Sequence, residues 1–147
     1  MEFRSHFGVY AIIFNQTNDS ILLIKKARGP YTGQYDLPGG SMEDGELLTD
    51  TLIREVKEET GCTLFNFYQL KAVDTLFTYM KGTEERLFRH LGVLYVGNIK
   101  EDPKTTGDGL DSNGAFWVNL KNIGNFPVTP FVKMGLKELE NITKTEK

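Results

Sequence analysis

Four glutamates, one arginine and two glycines fall at spacings that suit the joint handling of a cation and an anion. Between positions 40 and 62 the chain reads G-x5-E-x7-R-E-U-x-E-E-x-G-U, where U is apolar. Its fixed positions are Gly40, Glu46, Arg54, Glu55, Glu58, Glu59 and Gly61, and Cys62 is the loosest fit at the end. On a helix, successive residues step by about 100°, which brings Glu55, Glu58 and Glu59 within an arc of about 100°. That arc overlaps one edge of the stripe formed by Leu48, Leu52 and Val56. Glu55 then faces Glu58 and Glu59, and each like-charge pair costs about 0.2–0.5 kcal/mol. Glu58 and Glu59 also occupy the last turn, where the helix dipole disfavours an anion by about 0.3–1 kcal/mol. Local rules broken together at one place mark a functional site. A divalent cation would remove the conflict, and all-oxygen carboxylate ligands suit Mg²⁺ or Mn²⁺ rather than Zn²⁺.

For the three glutamates alone, a solvated acidic helix face is an equal reading. The surrounding residues tip the balance. With residues drawn independently at this chain's own frequencies, a chance match to the whole pattern is on the order of 10⁻⁷. Arg54 has Asp50 at i−4 and Glu58 at i+4, and can pair with either. Pro38-Gly39-Gly40 precedes the helix, where glycine permits close backbone approach and positive φ.

The pattern resembles the signature of the Nudix hydrolases, which cleave nucleoside diphosphates linked to another group. The resemblance implies an α/β fold, an α/β/α sandwich with a mixed sheet between helices, in which the signature forms a loop, a helix and a second loop. It implies a metal site built from Glu55, Glu58 and Glu59, with the carbonyl of Gly39 as a further ligand. It implies that Arg54 orients a catalytic glutamate, Glu55 or Glu58, and that Glu46 helps to hold Arg54. Gly40 and Arg28 are the expected substrate contacts. The reaction implied is attack of water on phosphorus, with metal ions neutralising the phosphate charge and a carboxylate taking the proton. The nucleoside diphosphate derivative could be a nucleoside triphosphate, a dinucleoside polyphosphate or a nucleotide sugar. Two rival readings are a nucleotide-sensing Nudix domain without turnover and a phosphate-binding protein with no enzymatic role. Asp111 is a candidate base outside the signature, or a turn former.

The attached group is less legible. Lys25, Lys26 and Arg28 could meet phosphate oxygens or merely solvate a strand end. Tyr31, Phe77 and Tyr79 could stack on a base or belong to the core. A proline found in many ADP-ribose-cleaving members is missing from residues 72–79, and Tyr79 stands about where members acting on dinucleoside polyphosphates carry a tyrosine. His6 and His90 are isolated in strand-like segments and read as structural.

Strands and helices have to hold these groups. Residues 5–14 and 21–26 read as strands joined in a hairpin, 28–34 as a loop and 35–37 as a short strand. Residues 46–60 form the clearest helix, with Glu46 in its first turn and Gly61 at the left-handed position that ends it. Residues 63–80 and 86–99 pair as long antiparallel strands. A polar loop fills 101–114, a strand 115–120 and a final helix 130–141, with Val132, Leu136 and Leu139 as its apolar stripe. Gly135 weakens that last helix. At 147 residues the chain suits one domain, 1–147. A net charge of −3 argues against a general electrostatic grip on nucleic acid or an anionic membrane. The expected partner is a small nucleotide, with a homodimer left open. Cys62 is the only cysteine, which excludes an internal disulfide and reads as a small buried residue. No secretory signal and no apolar run of about 20 residues is present, so the expected compartment is the cytoplasm.

Overall fold

The computed structural model describes residues 1–104 and 112–145. Strands β1 (Glu2–Ile13) and β2 (Ser20–Lys26) carry unbroken apolar runs because both of their faces are covered. From β1, Val9, Ala11 and Ile13 point into one core with Leu22 and Ile24 of β2. Tyr10 and Ile12 point into a second core with Ile21 and Leu23. The first core is closed by Leu52 and Val56 of α1 (Leu48–Thr60). The second is closed by Phe131 and Val132 of α2 (Pro130–Thr145). The sheets therefore lie between two helices, as an α/β/α sandwich requires. Fully burying a side chain such as Leu52 contributes about 1.5–3 kcal/mol.

The sheet layer has two parts. One is mixed and ordered β4-β1-β6-β5, where β4 is Gly39–Gly40, β5 Leu64–Lys81 and β6 Glu84–Ile99. Within it β1 runs parallel to β6 and antiparallel to β4, and β5 and β6 are antiparallel. The other is ordered β3-β2-β7, where β3 is Tyr35–Asp36 and β7 Ser112–Asn119.

Several boundaries depart from the sequence reading. The turn after β1 forms, with Asn15 Oδ1 accepting the N–H groups of Asp19 and Ser20. Yet β1 and β2 make no paired hairpin; they part into different sheets, and their backbones pair only where the turn closes, at the bridge between Phe14 and Ile21. Helix α1 starts at Leu48, not Glu46, because Asp50 accepts the N–H of Leu47 and stops the helix there. Strand β7 begins inside the expected loop, and a 3₁₀ turn, Leu120–Asn125, follows it, with Asn119 Oδ1 accepting the Lys121 N–H. Helix α2 continues to Thr145. Gly135 sits in it for a packing reason: a Cβ there would come within 2.6 Å of Ile12 Cδ1. Among the described residues no helix is long and apolar enough to cross a membrane.

Candidate active site

The turn of β4 and the second half of α1 meet at one point, and glycine makes the meeting possible. Gly39 adopts a φ of 151°, and a Cβ on it would overlap the Val9 carbonyl. A Cβ on Gly40 would stand 2.7 Å from Cδ of Glu55, so the Glu55 carboxylate fills the space where a side chain would be. One helical turn on, Glu59 is only 5% exposed, and its Oε1 accepts the Gly39 N–H at 2.7 Å. Burial pushes the Glu59 carboxyl well above the usual carboxylate range; the Gly39 N–H and Lys26 oppose this, while the charges of Glu55 and Asp36 reinforce it. Glu55 and Glu59 both line a cavity of about 840 Å³.

Arg54 is the brace of the site. Its Nε and Nη2 grip the two oxygens of Glu46 at 2.7 and 2.9 Å, a planar fork that only arginine offers. Nη2 also donates to the Ser41 carbonyl at 3.0 Å. Nη1 donates to Glu55 at 2.9 Å and to Glu58 at 3.2 Å. Of the two partners spacing allowed, Arg54 takes Glu58, since Asp50 is turned back to the helix start. Glu46 reaches Arg54 from outside the helix, and that contact first of all lowers its pKa to about 2. It also accepts the N–H of Glu43 and the hydroxyl of Thr51. The Glu46 fork raises the Arg54 pKa, so the guanidinium stays charged.

Glu58 stands apart from the other two glutamates. Its side chain is 53% exposed, lies on Arg54 and does not line the cavity. Among the described residues no three acidic, histidine or cysteine side chains are drawn together as a ready metal cage. Glu55 and Glu59 nevertheless form an oxygen-only donor pair suited to a hard cation. Gly39 meets Glu59 through its N–H.

The cavity also gathers residues far apart in the chain. Lys26 and Arg28 line it, whereas Lys25, on the other face of β2, lies over the Tyr35 ring. Tyr31, Tyr79 and Phe88 form an aromatic wall, with Phe77 packed behind it against all three. His90 is held by two phenols, Tyr10 on Nε2 and Tyr31 on Nδ1, each at 2.7 Å, and stacks on Phe131 at 4.1 Å. Burial, with His6 and Lys26 nearby, drops its pKa to about 3. His90 is thus a satisfied structural histidine, and it also lines the cavity, as His6 does. Asp36 is the acid that sequence reasoning missed; it is 3% exposed, lines the cavity, and burial pushes its pKa up. A lone acid within the short strand before Pro38-Gly39-Gly40 was the available signal. Cys62 is buried, its thiol near the carbonyls of Thr60 and Glu101, and burial pushes its pKa up. Asp111 lies outside the described residues.

Comparison with known proteins agrees with this architecture. The NUDIX domain model matches residues 4–135. The chain is 35% identical over 120 residues to the uncharacterized Nudix hydrolase YvcI of Bacillus subtilis, covering 78% of this chain and 68% of that protein. It is 30% identical over 113 residues to putative nudix hydrolase 1 of Caenorhabditis elegans, covering 76% of this chain but only 28% of that longer protein. The NUDIX domain of Shewanella oneidensis NrtR, solved with ADP ribose, superposes with a TM-score of 0.73 at 19% identity, over 98% of this chain and 90% of that one. The shared fold, the match along most of the chain and the complete signature on α1 together place this protein in the Nudix hydrolase family.

Proposed function

We propose that this protein hydrolyses a phosphoanhydride bond in a nucleoside diphosphate linked to another group, with Mg²⁺ or Mn²⁺ as cofactor. The observation that carries the reading is the convergence of Glu55 and Glu59 on Gly39–Gly40 at one end of a cavity that also holds Lys26, Arg28 and an aromatic wall. Glu55 and Glu59 would hold the cation, joined by Glu58 on turning away from Arg54 and by the Gly39 carbonyl. A bound cation supplies charge neutralisation on the diphosphate and polarises a phosphoryl oxygen. The protein's own groups do the rest. Lys26 and Arg28 stand where they can meet phosphate oxygens, and the absence of a side chain at Gly40 lets the substrate approach closely. Glu55 or Glu58, both steadied by Nη1 of Arg54, takes the proton of the attacking water. Tyr31, Tyr79 and Phe88 offer apolar ring surface to a nucleobase.

The decisive assay is a panel of nucleotides with Mg²⁺ in ¹⁸O-labelled water. The label should enter a phosphate product, with no glycosidic cleavage, and monoesters should be poor substrates. Label on a sugar hydroxyl, or efficient release of phosphate from monoesters, would overturn the assignment. Saturating Mg²⁺ should also raise the melting temperature, because a cation binds the folded glutamates and not the unfolded chain. An unchanged melting temperature together with no calorimetric binding would refute the metal site.

A further inference from the structure

Four buried polar residues line the cavity beyond those assigned above to the cation and the phosphates: Asp36, Tyr10, His90 and Tyr31. Asp36 uses one oxygen only. Its Oδ1 accepts the Leu37 N–H at 2.8 Å and the Thr129 hydroxyl at 2.7 Å. Among the described residues no group bonds to Oδ2, which leaves that oxygen for a cavity ligand. A neutral imidazole carries one N–H and one lone pair. Placed between two phenols, His90 therefore donates to one and accepts from the other. The phenol that accepts keeps its own hydrogen, and among the described residues neither hydroxyl has a second partner. One O–H of the Tyr10–His90–Tyr31 chain is left without an acceptor. Asp36, Tyr10 and Tyr31 line the same cavity, so this donor and the Asp36 acceptor can face one ligand.

We propose that Asp36 Oδ2 and the leftover phenol hydroxyl bind a neutral donor–acceptor edge of the substrate's nucleoside, and so set which nucleoside the site prefers. The carboxylate calls for an N–H or O–H, and the phenol for a carbonyl, ring nitrogen or hydroxyl oxygen. A phosphate offers acceptors alone and is repelled by Asp36, so it cannot satisfy both. A base edge or a ribose hydroxyl can. The orientation, with the nucleoside over Asp36 and the diphosphate over Glu55 and Glu59, rests on the proposed hydrolase reading. Asp36 also ties β3 to the start of α2 through Thr129, and a purely structural role has to be separated from recognition.

Calorimetric titration with α,β-methylene nucleoside diphosphates does this without requiring turnover. The four bases, each as ribo and 2′-deoxy forms, are titrated with Mg²⁺ into the wild type, Asp36→Asn, Tyr10→Phe, Tyr31→Phe and Thr129→Val. The wild type should favour one analogue by at least about 10-fold, and Asp36→Asn should shrink that preference by about 10- to 100-fold while binding of the poorest analogue hardly changes. Of Tyr10→Phe and Tyr31→Phe, the one that removes the leftover hydroxyl should reduce the preference in the same sense. Thr129→Val should lower the melting temperature yet keep the wild-type preference. A preference that follows the base places the edge on the base, and one that follows the 2′-hydroxyl places it on the ribose; either supports the proposal. It is overturned if the wild type binds no analogue or shows no preference. It is equally overturned if Asp36→Asn and both phenylalanine variants leave the preference intact or weaken every analogue by one factor. If Asp36→Asn fails to fold, the two phenylalanine variants decide. Selective binding without turnover of the matching natural nucleotides would sink the hydrolase reading and leave this one standing.

Discussion

Replacing Gly40 by alanine should separate the reaction from the fold. Gly40 is not among the positive-φ glycines, so its backbone accepts an L-residue. The added methyl would stand 2.7 Å from Cδ and Oε2 of Glu55 and 2.9 Å from Oε1. Ordinary contact begins at 3.4 Å, so the carboxyl must retreat by about 0.7 Å, the difference between 3.4 and 2.7 Å. The three nearest atoms all belong to Glu55, and a glutamate end can swing at little cost. The fold should therefore survive, with a melting temperature within about 3 °C of the wild type, since the loss of glycine's unfolded-state entropy works in the stabilising direction. The same retreat strains the 2.9 Å bond from Arg54 Nη1. It also moves a group that in the proposed reaction is held close to the reacting centre, where an error of about 1 Å costs about 10²-fold. The expected loss in kcat is about 10- to 100-fold, measured at saturating Mg²⁺ and substrate. A double-mutant cycle checks the cause: in a Glu55→Asp background, whose carboxyl is drawn back by one methylene, the alanine should cost less than about threefold. A Gly40→Ala protein that keeps more than about half of its kcat would refute the account of Glu55 and Gly40 as a matched pair.

Glu59→Gln keeps an oxygen able to accept the Gly39 N–H but removes the charge; kcat should fall by at least about 10²-fold with an unchanged circular dichroism spectrum, and near-normal turnover would remove Glu59 from the proposed metal site. Gly135→Ala sets a helix-propensity gain of about 1 kcal/mol against overpacking of about 1–3 kcal/mol, and because the new Cβ meets Ile12 at 2.6 Å and Leu94 at 3.2 Å in a packed core, the melting temperature should fall. Glu101, whose pKa is lowered to about 2 by the N–H and hydroxyl of Thr63 and by Lys57, has a depressed folded-state value. Its contribution is therefore full above the ordinary glutamate range and is lost as pH falls through it toward 2. A Glu101→Gln protein should accordingly lose less melting temperature than the wild type between pH 5 and pH 2, and parallel curves would contradict this.

What the sequence determined by itself was local. The i, i+3 and i+4 geometry of one helix places Glu55, Glu58 and Glu59 along its length wherever that helix is packed, and the run Leu48, Leu52 and Val56 says which side is buried. Gly61 ends the helix because its φ of 77° suits glycine. These are short-range constraints, carried by neighbours in the chain, and they survive any tertiary arrangement.

Tertiary structure decided how the three glutamates divide. Glu59 is buried against the Gly39 N–H, Glu55 fills the gap at Gly40, and Glu58 is left on Arg54 at the surface. Their spacing only orders them around the helix, with Glu59 nearest the stripe of Leu48, Leu52 and Val56 and Glu58 farthest from it; which groups each one meets depends on the strand turn that lies across the helix. The separation of β1 from β2 was invisible for a related reason: an apolar run says that both faces are covered, not by what. Asp36, Tyr10, Tyr31 and His90 come from four separate strand and loop segments and share a cavity only because β1, β3 and β6 converge beneath the loop that carries Tyr31. Chemistry carried on one helix is legible in one dimension, whereas a cavity assembled from distant segments exists only once the long-range pairing of strands has closed it.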